Sequence, residues 1–337
     1  MWDRVEELAA LAPSSAALHH HQVGALGARA RRRRGLPVDA HLRAAEQAAA
    51  VGALSSRYLL RRIRAAVEGP LVLMKGPEAA ASYRQPEARL FKDLDLLTAD
   101  VDATYSSLLA AGFVETTGGS FVPPTYHCLP LMWPGIPLTI ELHNAPRNVP
   151  EMPVPSFETL LCLTRPTRTG VEGILGLVPS AHAVLLAVHA WSHGPLERLG
   201  PLIDVAAVLA DGDRAAADAH ARNWGCERLW RTTVSCIDAL MMSGPRTIAS
   251  RTWARHLFSA REPSVLESHV ARIAAAAWGL PRSRAGLGVG RELKKTALVC
   301  GEDTWPEKLY RARRAVRHAV TPLSDYRSLP MTGDRST

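Results

Sequence analysis

Two carboxylates lie two residues apart inside an otherwise apolar segment, KDLDLL at residues 92–97. Because side chains alternate across a β-strand, Asp93 and Asp95 would share one face, and Leu94 and Leu96 would share the other. Like charges this close repel each other unless a cation lies between them. The pattern therefore favours a site for a divalent cation, and a strand with one solvated polar face is the alternative.

A second segment, LTIELH at residues 138–143, repeats the alternation and brings Glu141 and His143 to one face. If the two segments are neighbouring strands, Glu141 adds a third carboxylate to Asp93 and Asp95. Three acids can hold two metal ions about 3.5–4 Å apart, an arrangement that catalyses in-line displacement at phosphorus. We therefore predict that the three acids bind Mg²⁺ or Mn²⁺, and that His143 is a general base or binds the acceptor.

An apolar run at residues 71–74 ends in Lys75-Gly76, just before a predicted helix at residues 77–83. Glycine lets the backbone approach a phosphate closely, a helix start offers free N–H groups, and lysine adds a positive charge. This turn is predicted to bind the phosphates of a nucleotide. Arg89, ahead of the acidic strand, is either a phosphate clamp or the ion-pair partner of Glu87.

Histidines form a third group of candidates. His189 and His193 lie four residues apart on one face of a predicted helix, and Asp204 follows on the next. The three suggest a metal site or a general-base relay, and a hydrogen-bonded seam between helices is the alternative. His193 is the preferred catalytic candidate because it precedes Gly194-Pro195 near a helix end. His127 is a weaker candidate for the same cleft.

The elements that must position these residues follow from the hydrophobic periodicity. Residues 1–68 have apolar positions at helical spacing, and residues 69–150 alternate short strands with helices and Gly or Pro turns. Residues 151–325 return to a helical pattern, and residues 326–337 are expected to form a flexible tail. The prediction is an α+β fold, with a small mixed β-sheet core, flanking helices, N-terminal helices and a C-terminal helical domain.

Composition limits the partners without choosing among them. The 337-residue chain carries a net charge of +8, and part of the excess lies in an arginine-rich run at residues 29–34. Such a run favours anionic partners, and a solvated helix end explains it equally well. The five cysteines show no CxxC spacing, so we expect a reducing, cytoplasmic environment. No apolar stretch approaches the ~18 residues that span a membrane, so no membrane partner is expected.

The order of these motifs resembles the uncharacterised nucleotidyltransferase family within the DNA polymerase beta-like superfamily. The residues that carry the resemblance are Lys75-Gly76, Tyr83, Arg89, Asp93, Asp95, Glu141, His143, His189, His193, Arg198 and Asp204. The resemblance extends over residues 15 to 325 and implies that the acids bind Mg²⁺ and that the region around Gly76 receives a nucleoside triphosphate. One difference from the wider superfamily is that Lys-Gly replaces the usual Gly-Ser turn. Phosphate contact would then depend on Lys75 and on backbone amides, and the donor need not be an ordinary nucleotide.

The resemblance also implies a reaction. We expect a metal-dependent enzyme that moves a nucleoside monophosphate from a triphosphate such as ATP to a hydroxyl or phosphate. Because many members lie near natural-product gene clusters, the implied acceptor is a small molecule or a modified peptide. The alternatives are transfer of another phosphate-linked group such as a sugar, and a non-catalytic module that binds nucleotide or nucleic acid. The complete set of acids disfavours the module. The sequence does not indicate an oligomeric state.

Overall fold

The computed structural model of the chain describes residues 1–116, 128–149, 152–278, 285–290, 292 and 304–328. Its centre is a seven-stranded mixed sheet, with helices before and after it in the chain. The predicted α+β fold is therefore confirmed. The strands are β1 (Leu71–Leu73), β2 (Asp93–Leu97), β3 (Val114–Glu115), β4 (Leu131–Met132), β5 (Thr139–His143), β6 (Thr164–Pro166) and β7 (Ile174–Leu177).

The strand order is β3-β4-β5-β2-β1-β7-β6. Strand β2 runs parallel to β5, and β1 runs parallel to β7, whereas the other neighbouring pairs are antiparallel. The two strands that carry the acids are therefore direct neighbours, as the metal hypothesis required.

Two strands of this sheet, β6 and β7, were not predicted. Because β7 pairs with β1, the sheet continues to Leu177, beyond residue 150, where the predicted α/β region ends. The division of the chain into domains stays a prediction. Strand β4 covers Leu131–Met132, and the candidate His127, four residues before it, lies outside the described residues.

The sheet has an apolar face and a mixed face. On the apolar face, Leu94 and Leu96 of β2 are fully buried in a cluster that includes Leu59 and Leu60 of the helix before the sheet. This burial confirms that the leucines that alternate with the two aspartates face the core. The opposite face of β2 carries Asp93 and Asp95, and it looks toward the helices that follow β7.

Four helices precede the sheet. The longest begins after Asp39, whose side chain accepts a hydrogen bond from the Leu42 amide at 2.9 Å, a typical N-cap. Its buried apolar stripe, which includes Ile63, packs on the sheet. The four are α1 (Trp2–Ala10), α2 (Ser15–His20), α3 (Gly24–Arg33) and α4 (Ala40–Ala66).

The arginine-rich run lies at the end of α3 and is largely engaged within the protein. Arg32 forms two hydrogen bonds with Glu46, at 2.9 and 2.7 Å, and Arg33 pairs with Glu6 at 2.6 Å. Arg29 pairs with Glu87 at 2.7 Å. These contacts tie α3 to its neighbours, so the run is mainly a structural feature of the N-terminal helices.

Among the helices that follow β1, α8 (Pro179–His193) and α9 (Leu199–Ala210) pack against each other as a central pair. Helix α8 is buried on nearly all sides until His189, as expected for a helix that is apolar all round. His182 in its first half donates from Nε2 to the Met74 carbonyl at 2.5 Å, which fixes the helix against the end of β1. The helices are α5 (Pro77–Ala80), α6 (Val101–Ala110), α7 (Phe157–Leu161), α8 (Pro179–His193), α9 (Leu199–Ala210), α10 (Arg214–Asn223), α11 (Glu227–Met241), α12 (Ile248–Thr252), α13 (Val265–Trp278), α14 (Trp305–Arg317) and α15 (Leu323–Ser328).

In the part of the chain that the structure describes, none of these helices combines the length and the apolar character needed to span a bilayer.

Candidate active site

The pairing of β2 with β5 brings the acids together. Asp95 lies opposite Glu141, and Leu97 lies opposite His143, in a parallel register. Since partners in register point to the same side of a sheet, the Asp95, Glu141 and His143 side chains share the face that looks toward α8. Asp93 is two residues before Asp95 and therefore lies on this face as well.

Three of these side chains form a compact group of metal-type ligands. They are Asp95, Glu141 and His143, and their ligand atoms all lie within 4.8 Å of one another. His143 donates from Nε2 to Asp95 Oδ1 at 3.2 Å, and the same nitrogen is 3.8 Å from Glu141 Oε2. The Asp95 and His143 side chains are 3% and 4% exposed, whereas Glu141 is 35% exposed and opens the group to solvent.

The predicted ligands were Asp93, Asp95 and Glu141, and the observed group contains His143 in place of Asp93. His143 was predicted as a base, and its position between Asp95 and Glu141 suits a ligand equally well. Asp93 borders the group on the same face. Its metal contact stays a prediction.

The electrostatics of the face show an excess of negative charge. Burial and then the charge of Asp95 raise the pKa of Asp93, and the same two causes raise the pKa of Glu141. Burial also opposes ionisation of Asp95, but the His143 hydrogen bond and the Lys75 ammonium outweigh it and lower its pKa. Asp95 is thus stabilised as a carboxylate, whereas the surroundings of Asp93 and Glu141 on balance disfavour their charged forms.

Lys75 reaches this group from the end of β1. Its Nζ lies 3.0 Å from Asp95 Oδ2 and 2.9 Å from Nε2 of His189 on α8. Burial and then the charge of Lys75 hold the pKa of His189 well below its usual range. The His189 ring is therefore neutral and accepts a hydrogen bond from the lysine. Through these two contacts, Lys75 connects the acidic face of the sheet to α8.

Gly76 follows with φ of +62°, and a Cβ there would lie 3.1 Å from the Asp93 carbonyl oxygen. The position therefore requires glycine for structural reasons that do not depend on a ligand. Helix α5 ends at Ala80, earlier than the predicted end at Tyr83, and it spans only four residues. Its dipole contributes little, so phosphate binding at this turn, which stays a prediction, would depend on Lys75 and on backbone N–H groups.

Arg89 lies one layer behind the turn. It donates from Nε to Asp204 Oδ1 and from Nη2 to Asp204 Oδ2, both at 2.7 Å, and from Nη1 to the Gly76 carbonyl at 3.1 Å. Tyr83 donates its hydroxyl to Asp204 Oδ1 at 2.7 Å. The alternative pairing of Arg89 with Glu87 is wrong. A direct phosphate contact of Arg89 stays a prediction, although most of its donors are already engaged.

His193 lies next to His189, at the solvent-exposed end of this face. Its ring centre is 4.6 Å from that of His189, so the two histidines contact each other as their spacing predicts. Partial burial, followed by the charge of Arg147, lowers the pKa of His193 to about 4. The grouping of this pair with Asp204 is wrong, because Asp204 is bound to Arg89 and Tyr83.

Two contributions to this face were not predicted. His189 was predicted only as part of the histidine pair, and its contact with Lys75 depends on how α8 crosses the sheet. Arg147 was not noted at all, although it follows His143 by four residues at the end of β5. Its position just beyond the acidic strand was the one signal that the sequence offered.

Comparisons with known proteins give one result that bears on this site. A family model described as an uncharacterised nucleotidyltransferase matches residues 15–242, more than half of the chain. The matched region includes all of the residues described above. No curated protein and no solved structure matches the chain.

Proposed function

The chain belongs to the family of uncharacterised nucleotidyltransferases, and from that premise we propose a metal-dependent reaction with a defined set of residues. The donor is a nucleoside triphosphate such as ATP, and the acceptor is a hydroxyl or phosphate of a small molecule or a modified peptide. The observation that supports this proposal is the register that places Asp95 opposite Glu141, beside His143. General nucleotidyl transfer follows from the family, and the rest is our proposal.

The residues fit a divalent cation. Asp95, Glu141 and His143 offer two carboxylates and one imidazole nitrogen within 4.8 Å, and Asp93 adds a third carboxylate at the border. Carboxylates suit Mg²⁺ and Mn²⁺, and the imidazole extends the preference toward Mn²⁺. When bound, such an ion neutralises charge on the phosphates and lowers the pKa of an attacking oxygen.

The remaining residues bind and orient the substrates. Lys75 carries the positive charge nearest the acids, and Gly76 lets the donor's phosphates approach the backbone. His193 is the most exposed of the site histidines. Its lowered pKa, about 4, keeps the ring neutral at pH 7, and we assign it the hydrogen bond that orients the acceptor's hydroxyl. His143 is enclosed by acids and is better suited to ligation.

Binding measurements test the metal role first. Titration calorimetry with Mg²⁺ and a non-hydrolysable nucleoside triphosphate should show tight binding to the wild type. Asp95→Asn and Glu141→Gln should weaken that binding by at least about tenfold, because each removes a charged ligand. Glu172→Gln is the matched control, since Glu172 is exposed and far along the chain from the acids. Equal affinity in all four proteins would contradict the metal role of this face.

Activity measurements test the reaction. The four nucleoside triphosphates, each with Mg²⁺ or Mn²⁺, should be screened for pyrophosphate release in the presence of cell extract. Mass spectrometry of the product then distinguishes an added nucleotide from an added hexose. A hexose adduct would replace nucleotidyl transfer with the sugar alternative. The nucleic-acid module has no supporting observation, because the arginine-rich run is largely engaged in the protein's own ion pairs.

A further inference from the structure

The two oxygens of the Asp95 carboxylate have different neighbours. His143 donates to Oδ1 at 3.2 Å, and the Nζ of Lys75 lies 3.0 Å from Oδ2. Within the described residues, Oδ2 accepts no hydrogen bond, so its contact with Lys75 is one of charge alone. The buried oxygen that faces the lysine therefore has lone pairs that the donors of the protein do not use.

Lys75 would compete with a divalent cation for this carboxylate. The ligand atoms of Asp95, Glu141 and His143 lie within 4.8 Å of one another, and the lysine Nζ is 3.0 Å from one of the Asp95 oxygens. Two cations that share one carboxylate repel each other, and the repulsion is strong where solvent is excluded; the Asp95 side chain is only 3% exposed. Lys75 thus opposes the ion, and by linkage the ion weakens the contact of Lys75 with Asp95 to the same extent.

His189 gives Lys75 a second partner that is independent of the acids. Its Nε2 lies 2.9 Å from Nζ, and the neutral ring accepts a hydrogen bond from the ammonium. Helix α8 is buried on nearly all sides up to this residue, which holds the ring in place. The lysine, in contrast, has a flexible four-carbon stem. Its ammonium can therefore leave Asp95 and keep the bond to His189.

We propose that Lys75 exchanges one anionic partner for another: it neutralises Asp95 until the ion binds and then neutralises the donor's phosphates, with His189 as the positioning residue that keeps the ammonium at the site. This inference rests on the proposed function and deepens it. An ammonium has three N–H groups, so Nζ bonded to His189 keeps two for phosphate oxygens. Gly76, the next residue, allows the same phosphates to approach the backbone.

The exchange predicts opposite effects of one substitution. A residue that only supports the fold, or that only binds phosphate, does not oppose the ion, and its removal would leave the affinity for the ion unchanged or lower. Removing the charge of Lys75 should instead strengthen binding of the ion alone. The same change should weaken binding of the nucleotide once the ion is present.

Mn²⁺ alone is the first probe, and its affinity for the full chain is measured by titration calorimetry. Lys75→Met should bind Mn²⁺ at least about tenfold more tightly than the wild type. With saturating Mn²⁺, the same variant should bind a non-hydrolysable nucleoside triphosphate about tenfold more weakly. Lys92→Met is the matched control, because Lys92 is exposed and adjoins Asp93 in the chain. It removes an equal charge from the surface and should bind both ligands as the wild type does.

His189→Leu tests the positioning role, and His189→Gln is the conservative variant, because glutamine keeps an acceptor for the ammonium. With saturating Mn²⁺, His189→Leu should bind the nucleotide about fivefold more weakly, as for the loss of one hydrogen bond, and His189→Gln should bind it nearly as the wild type does. If His189 only filled space beside α8, leucine would be tolerated better than glutamine, and the order of the two variants would be reversed.

Acylation of lysine follows the exchange in the wild type, where no substitution disturbs the fold. A limiting amount of an acylating reagent, followed by peptide mass spectrometry, gives the rate at Lys75 relative to Lys92. The rate should be low in the protein alone, because Nζ is paired with Asp95 and the side chain is only 16% exposed. It should rise severalfold with Mn²⁺ and fall again when the nucleotide is added.

The exchange is wrong if Lys75→Met binds Mn²⁺ no more tightly than the wild type, or if Mn²⁺ leaves the acylation rate of Lys75 unchanged. Tighter Mn²⁺ binding with normal nucleotide affinity in Lys75→Met would also overturn it, because the lysine would then not pass to the phosphates. If Mn²⁺ binds neither the wild type nor Lys75→Met, the metal role of the proposed function is wrong as well. Failure of the inference alone leaves Mn²⁺ and nucleotide binding to the wild type intact.

Discussion

Neutralising Asp204 tests whether Arg89 positions the Gly76 turn or contacts the donor's phosphates itself. The Asp204 carboxylate accepts two hydrogen bonds from Arg89 and one from Tyr83, all at 2.7 Å. The Arg89 and Asp204 side chains are only 11% and 10% exposed, so the pair is shielded from solvent. The remaining bond from Arg89 reaches the Gly76 carbonyl and links α9 to the turn.

The expected cost follows from this burial. Removing one partner of a buried ion pair leaves the other charge uncompensated, which destabilises a protein by about 3–5 kcal/mol. Asparagine at 204 can still accept one hydrogen bond, so Asp204→Asn should lie near the lower limit, about 3 kcal/mol. The free energy of unfolding of a typical protein is about 5–15 kcal/mol, so this loss is large but leaves most proteins folded. Arg89→Met should cost a similar amount.

The double variant decides the question. If the two residues act as one unit, Asp204→Asn combined with Arg89→Met should cost well below the sum of the single variants, with a coupling of about 1–3 kcal/mol. Urea unfolding followed by circular dichroism gives these free energies. Nucleotide affinity gives the second readout, and a positioning role predicts equal losses in both single variants. Additive stabilities, or normal nucleotide affinity in Asp204→Asn alone, would refute the positioning role.

Two further predictions concern the turn and the N-terminal histidines. Gly76→Ala should lower the free energy of unfolding by about 1–3 kcal/mol more than Gly35→Ala, because both positions have positive φ (+62° and +66°) but only at Gly76 would the new Cβ meet a backbone oxygen. Burial lowers the pKa of His21 to about 3 and that of His256 to about 4, so the unfolded chain binds more protons below pH 6.5. Stability should therefore fall as the pH drops, by about 1–2 kcal/mol per histidine at pH 5.

Urea midpoints measured for each glycine variant and at each pH check both predictions. Equal losses at the two glycines would show that the Asp93 carbonyl does not restrict position 76. For the histidines, His256→Gln removes one titrating ring while keeping a donor for the Glu197 carbonyl. This variant should lose less stability between pH 7 and pH 5 than the wild type does. An equal loss would mean that groups other than this histidine control acid stability.

The acidic strands could be predicted because local alternation sets which face a side chain occupies. The end of α6 is local as well, because Gly112, just past the helix, has a φ of +96° that glycine adopts readily. Strands β6 and β7 could not be predicted on these grounds. They have three and four residues, too few to show a period, and β7 is defined by its pairing with β1, about a hundred residues earlier.

The ion-pair partners of charged residues were harder to predict than the strand face that a side chain occupies. Arg89 is 115 residues from Asp204, and nothing local distinguishes that acid from Glu87, two residues away. The structure resolves the choice through burial, because Glu87 points outward to Arg29 while Arg89 is enclosed by α9. Long-range pairing of this kind depends on helix packing, which periodicity does not specify.

The position of Lys75 explains why a charged residue occupies this turn. Asp95 is 3% exposed, and a buried carboxylate is costly unless positive charge or hydrogen bonds compensate it. In this protein the Lys75 ammonium, at 3.0 Å, provides that charge, and His143 provides the hydrogen bond. A serine hydroxyl carries no charge and would leave Asp95 with His143 alone. The lysine therefore has a structural task in the free protein, separate from any phosphate contact, and a loss of nucleotide binding in a Lys75 variant would have to be compared with its loss of stability.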